Sequence, residues 1–122
     1  MCGFVGQLFN KNININTLNK MSESLKERGP DSSGEFVDNK NQISIMHRRL
    51  SIMDLSSLGN QPMTSSNERY VIAYNGEIYN HNFIRKNLND NNLIKDSSWK
   101  GSSDTETLLT AIEKIGIDET IK

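Results

Sequence analysis

Apolar and polar positions alternate in short bursts along this chain, and the period of the alternation changes several times, which predicts a mixture of strands and helices. The first burst, Phe4-Val5-Gly6-Gln7-Leu8-Phe9, favours β structure and ends at Asn10-Lys11-Asn12. It predicts a short buried strand that starts almost at the terminus. Leu18, Met21 and Leu25 then fall on one helical face, and Asn16 can cap that helix. Arg28-Gly29-Pro30-Asp31 stops it, because Pro30 biases Gly29 away from the helical region. Two strands are expected near residues 34–38 and 43–48, joined by the Asn39-Lys40-Asn41 turn. Residues 55–66 read as a loop with Gly59-Asn60 and Pro62 as turn residues. Tyr70-Val71-Ile72-Ala73-Tyr74 carries the clearest strand pattern, and Asn75-Gly76 closes it with a turn signal. Asn80 or His81 opens a helix bearing Ile84 and Leu88. Ser103-Asp104-Thr105-Glu106 is a capping box before Leu108, Leu109, Ile112 and Ile115, with Gly116 as the stop.

Consecutive strands lie close together, so the expected class is α+β with antiparallel pairing. A chain of 122 residues suits one small domain, although an apolar content of 34% and a mean hydropathy of −0.60 warn of a modest core. The formal net charge of −1 gives no reason to expect nucleic acid or an anionic membrane as a partner. No apolar run approaches the length of a signal peptide core or a membrane span. There is no glycine-rich phosphate loop, and His47 and His81 stand apart from any ligand set, so no metal is expected.

Cys2 is the only cysteine, which allows no internal disulfide and makes a reducing cytoplasm the expected location. Its position matters more. Removing Met1 ahead of a small side chain would leave a thiol and a free α-amine on one carbon. A thiol of pKa ~8.5 is the most nucleophilic side chain at neutral pH, and an α-amine of pKa ~7.7–8.0 can take its proton. The plain alternative is a small hydrophobe beside a frayed end. Redox or metal work by this thiol would lack a second ligand or a resolving cysteine.

Several longer segments decide between these readings. They are Met1-Cys2-Gly3-Phe4-Val5-Gly6, then Arg28-Gly29-Pro30-Asp31-Ser32-Ser33-Gly34, then His47-Arg48-Arg49-Leu50-Ser51-Ile52-Met53-Asp54 leading to Gln61-Pro62-Met63. Asn75-Gly76-Glu77-Ile78-Tyr79-Asn80-His81 and Gly101-Ser102-Ser103-Asp104-Thr105-Glu106 complete the set. In order, spacing and wording they resemble the class II glutamine amidotransferase domain of glutamine-hydrolysing asparagine synthetases, an N-terminal-nucleophile hydrolase. The likeness covers essentially the whole chain and is loosest between Leu88 and Lys100. It implies two antiparallel sheets sandwiched between helical layers, an α/β/β/α arrangement.

The resemblance also implies roles. Cys2 would be the nucleophile and its α-amine the base, while the Asn75 side chain and the Gly76 N–H would form the oxyanion hole. Arg49 would pair with the α-carboxylate of L-glutamine, and Asp104, helped by Glu77, would take the α-ammonium. Leu50, Ser51, Ile52 and Met53 would lend backbone groups. Each position has a plain structural alternative: a hairpin turn at Asn75-Gly76, solvated strand-end cations at Arg48 and Arg49, a helix-dipole acid at Asp104. Arg28 and Asp31 read as loop-ordering residues, and His81 as a helix-start residue.

Domains of this family normally continue into further strands, so the resemblance implies that residues 1–122 are an N-terminal portion, incomplete at the C-terminus. It implies no cofactor in this chain, and ATP and Mg2+ for a synthetase domain absent here. Its partners would be glutamine and that missing domain, and it leaves room for a homodimer of the intact enzyme. Two other readings stay open. One is an inactive truncated remnant; the other is the glutaminase part of a relative that amidates a sugar or peptide carboxylate.

Overall fold

The computed structural model describes residues 1–8 and 14–122. Phe9 and the polar Asn10-Lys11-Asn12 stop predicted for the first strand lie outside the described residues. The chain forms two compact units, the first comprising Met1–Ile52, Asn60–Pro62 and Ala73–Gly76, the second Met53–Gly59, Met63–Ile72 and Glu77–Lys122.

The first unit is built on a three-stranded antiparallel sheet. Strand β1 (Gly3–Leu8), helix α1 (Ile15–Glu23), strand β2 (Ser32–Asp38) and strand β3 (Ile43–Arg49) follow one another, and the sheet order is β1-β3-β2. The tight link between β2 and β3 comes from Asp38, whose Oδ1 accepts from Lys40 N at 2.9 Å and Asn41 N at 3.0 Å. Central β3 carries the most buried pattern of the three strands. Its partners are set by register: Gly3 faces Arg48 from one side, and Ser32 faces Arg49 from the other. Leu18 of α1 is fully buried, as its apolar spacing predicted, but Met21 is exposed, and Ser22 is the other buried residue of the helix. Helix α1 ends at Glu23, short of Leu25 and of the Arg28-Gly29-Pro30-Asp31 stop expected for it.

Three expectations are corrected here. The cap of α1 is Asn14, not Asn16; its side chain accepts from Thr17 N at 3.1 Å, so the helix begins two residues earlier. The β1 strand is an edge strand, and Phe4 and Leu8 on it are 50% and 77% exposed, so it is not buried. Arg48 is not a solvated cation: Nη2 pairs with Glu23 at 2.5 Å and Nε donates to Ser22 Oγ at 3.0 Å, tying β3 to α1.

The second unit is mainly helical. A two-stranded antiparallel ribbon, β4 (Met63–Thr64) with β5 (Val71–Ile72), packs on α3 (Asp104–Ile115), and α2 (His81–Asp90) and α4 (Ile117–Thr120) flank that helix. Its core is Leu88, Thr107, Leu109 and Ala111. Half of the predicted capping box forms: Ser103 accepts from Glu106 N at 3.2 Å, while the Glu106 carboxylate accepts from Lys100 N and Gly101 N. Gly116 at φ 85° ends the helix in a conformation that favours glycine. The loop expected over residues 55–66 holds a single 3-10 turn at Ser57–Gly59 before β4 begins. The strand expected over residues 70–74 shrinks to Val71–Ile72. Tyr74 leaves the ladder because Gln61 Oε1 accepts its N–H at 2.6 Å and His47 Nε2 lies 3.3 Å from its carbonyl. No helix among the described residues is long and apolar enough to cross a membrane.

Candidate active site

Because β1 starts at Gly3 opposite Arg48, Cys2 sits just past the end of the paired region, level with the exit of β3. The thiol is half-buried there. Its Sγ accepts from Leu50 N at 3.3 Å and lies 3.6 Å from Leu50 O, while the Cys2 carbonyl accepts from Arg28 Nε at 3.4 Å. The thiol is thus held by the backbone of Leu50 and the Cys2 carbonyl by the Arg28 side chain, while Met1 ahead of it is 73% exposed.

Arg49, the last residue of β3, is buried, and its Nη1 donates at 3.0 Å to Asn60 Oδ1, which also accepts from Ser32 Oγ at 2.9 Å. Anchoring one arm fixes the plane of the guanidinium, the geometry a bidentate carboxylate partner requires. The segment Gly29-Pro30-Asp31 lies along the exit of β3 as a brace. Asp31 N donates to Arg49 O at 3.0 Å, and Asp31 Oδ2 accepts from Ser51 N at 2.7 Å. Cys2, Arg49, Leu50 and Ser51 are therefore brought together, whereas Ile52 is 70% exposed.

The other segment of this unit is Tyr74-Asn75-Gly76. His47 must carry its proton on Nε2 to bond the Tyr74 carbonyl. Burial, opposed by that hydrogen bond and helped by the Arg49 charge, holds its pKa below the usual histidine value, so it stays neutral. Asn75 and Gly76 are exposed beyond this double anchor. A Cβ on Gly76 would overlap the Tyr74 phenol, so any larger residue there must displace that ring.

The remaining predicted residues fall in the second unit. Asp104 is buried at the first position of α3, with Oδ2 accepting from Ile78 N at 2.8 Å and Oδ1 from Thr105 N at 2.8 Å. This places Asp104 against the residue that follows Glu77, which is itself exposed, as is Met53. Each carboxylate oxygen can still accept a further donor. His81 starts α2, as expected of it. A cavity of about 490 Å³ in this unit is lined by apolar groups such as Phe83, Leu88 and Ala111, and none of the predicted site residues lines it.

Asn60, His47 and Gln61 hold the first unit's loops, and the sequence pattern assigned them no chemical work; His47 and Gln61 stand inside its quoted segments, which was the available signal. Asp54 is a fourth. It is buried, and the Ser56 hydroxyl at 2.6 Å, Ser102 N at 2.8 Å and Ser56 N at 2.8 Å hold its pKa down at about 2, the hydroxyl contributing most. A depressed carboxyl stabilises the fold above its unfolded value near 3.8, and that contribution is lost as pH falls through about 2. Full loss is about 2 kcal/mol, with roughly half gone by pH 3. Urea unfolding of Asp54→Asn should therefore show a stability deficit at pH 6 that narrows by about 1 kcal/mol at pH 3. An equal deficit at both pH values would show that the carboxylate charge is not what these donors stabilise.

A glutamine amidotransferase domain family matches the chain over residues 1–122. Among curated proteins, the chain is 35% identical to putative asparagine synthetase [glutamine-hydrolyzing] 2 of Methanocaldococcus jannaschii, with 97% of this chain and 25% of that protein covered. It is 40% identical to asparagine synthetase [glutamine-hydrolyzing] 1 of Bacillus subtilis, covering 89% of this chain and 17% of the relative. With the Arabidopsis thaliana asparagine synthetase [glutamine-hydrolyzing] 1 the identity is 35%, over 81% of this chain and 15% of the relative. The chain thus spans a quarter or less of the length of these relatives.

Proposed function

The chain belongs to the glutamine amidotransferase domain family, and from that premise we propose that it carries the glutaminase half of an asparagine synthetase reaction. The observation that bears most weight is Cys2 Sγ held 3.3 Å from the N–H of Leu50, the residue that follows Arg49, whose buried guanidinium is anchored to Asn60. A nucleophile and a carboxylate-binding group on one rigid strand exit are what an enzyme acting on the far end of an amino acid needs.

In this mechanism Met1 is removed and the Cys2 α-amine takes the thiol proton. The sulfur attacks the side-chain amide carbon of glutamine, and the carbonyl oxygen gains negative charge. The Asn75 side-chain amide and Gly76 N–H donate to that oxygen. As the C–N bond breaks, the ammonium form of the α-amine returns the proton to nitrogen and ammonia leaves. Water then hydrolyses the glutamyl thioester, giving glutamate and the free thiol. Arg49 holds the substrate α-carboxylate, and Asp104 with Glu77 holds its α-ammonium.

In the relatives' named reaction the ammonia has an acceptor, and for this chain the proposed acceptor is an ATP-activated aspartate in the cytoplasm. ATP and Mg2+ would act outside these 122 residues. The sheet-on-sheet layering of N-terminal-nucleophile hydrolases belongs to the same proposal, supported by the antiparallel β1-β3-β2 sheet that opens on the nucleophile.

Replacing Arg49 tests it. Arg49→Lys keeps the charge and loses the fork, so KM for glutamine should rise about 10–100-fold with kcat little changed, because a charge-assisted pair is worth about 1.5–3 kcal/mol. Steady-state release of glutamate across glutamine concentrations reads both constants. A fall in kcat at unchanged KM would remove Arg49 from the binding role.

A further inference from the structure

A capped helix needs one side chain to satisfy its first turn, and Ser103 does that for α3. The four residues ahead of Asp104 are held by far more than this. In an ordinary capping box Glu106 would reach back to the Ser103 N–H. Here its carboxylate accepts instead from Lys100 N at 2.7 Å and Gly101 N at 3.0 Å. Ser102 N is taken by Asp54. The outward carbonyls go to Arg85, which reaches across from α2.

Arg85 is deeply set and uses every nitrogen it has. Nε donates to Thr107 Oγ1 at 2.6 Å, Nη1 to Gly101 O at 2.9 Å, and Nη2 to Ser103 O at 3.0 Å and Glu106 Oε2 at 3.2 Å. Its guanidinium also stacks 4.2 Å from the Trp99 ring. The contacts close a circuit. Asp104 accepts from Ile78 N just ahead of α2, α2 carries Arg85, and Arg85 holds the carbonyls on either side of Ser102, directly ahead of Asp104. Only the planar five-donor fork can bridge two carbonyls, a hydroxyl and a carboxylate at once.

We propose that Arg85 is a positioning residue for the amino-group end of the glutamine site, acting on Asp104 through residues 101–103 and never touching substrate itself. The proposal rests on Asp104 being the partner of the substrate ammonium. It follows that Arg85 should govern how well the protein distinguishes glutamine from an otherwise equal ligand that lacks the amine.

The test is Cys2 alkylation by iodoacetamide in the full chain freed of Met1, with protection by L-glutamine compared with protection by 4-carbamoylbutanoate, which is glutamine without its α-amine. In Arg85→Met the concentration of glutamine giving half-protection should rise about 10-fold, while that of 4-carbamoylbutanoate stays within about two-fold. Asp104→Asn should reproduce this pattern. Arg85→Lys, which keeps the charge beside Glu106 and provides the comparison if Arg85→Met does not fold, should also lose discrimination. Equal weakening of both ligands, or full discrimination in Arg85→Lys, would overturn the proposal and leave Asp104 in its role. Full discrimination in Asp104→Asn would instead remove Asp104 as the ammonium partner, and the positioning role with it.

Discussion

Cys2→Ala should abolish glutamine hydrolysis, with a loss on the order of 10⁴–10⁶-fold in turnover, because it removes the one atom that forms the thioester. Nothing else in the chain can take over. Cys2 is the only thiol, and the polar groups around it, Leu50 N and Arg28 Nε, donate hydrogen bonds and cannot attack a carbonyl. Structurally the change is small. The thiol is half-buried and gives up weak sulfur contacts to Leu50, so stability should move by less than about 1 kcal/mol. Ammonia release and thermal unfolding, measured on the same preparation, separate the two effects. Turnover at the wild-type rate would end the nucleophile assignment, and a collapsed fold would show that the thiol is needed for packing.

The largest effect on stability is expected at Gly29. A Cβ there would overlap the carbonyl of Arg48 and come within 2.6 Å of Arg49 N. Both neighbours are backbone in the central strand of the sheet, so they cannot swing aside as a flexible side chain would. Gly29→Ala must therefore lift the Gly29-Pro30-Asp31 brace, losing the bonds from Asp31 N to Arg49 O and from Ser51 N to the Asp31 carboxylate. A destabilisation of about 3 kcal/mol is expected, together with a weaker hold on glutamine through the loosened exit of β3. A urea midpoint shifted by less than the equivalent of about 0.5 kcal/mol would show that the brace is not packed as described.

These two sites show what kind of information the sequence carries. Gly29-Pro30 reads in the sequence as a helix stop, but α1 already ends at Glu23, and the need for glycine comes from a strand roughly twenty residues later and is invisible locally. The α3 cap, β2, β3 and the turn after Asp38 were legible because each depends on neighbours within a few positions. Tyr70-Val71-Ile72-Ala73-Tyr74 has the best strand pattern in the chain, yet Tyr74 answers to Gln61 and His47. Tertiary partners override propensity directly ahead of Asn75 and Gly76. Arg48 and Arg49 are adjacent and chemically alike. Only alternation across the strand separates them, sending Arg48 to Glu23 and Arg49 to Asn60.

The candidate site divides the same way. Cys2, Arg49, Asn75, Gly76 and Asp104 are each identifiable in the sequence because their segments resemble one family, and the structure gives each a defined place. The residues that hold them, Asn60, His47, Gln61, Asp54 and Arg85, act across gaps of 11 to 48 positions. No spacing rule announces such partners. Their side chains are also ordinary ones, an amide, a neutral imidazole, a carboxylate and a guanidinium, whose work is visible only when the backbone groups they satisfy are known.

Cys2, freed of Met1, is proposed here as a nucleophile placed to meet glutamine. The most direct measurement is the intact mass of the purified chain before and after incubation with a glutamine analogue bearing an alkylating group in place of the side-chain amide. Loss of the Met1 mass and one adduct on Cys2, whose formation excess glutamine blocks, are the result expected of that role. Retained Met1, or an adduct formed at the same rate with and without glutamine, would contradict it.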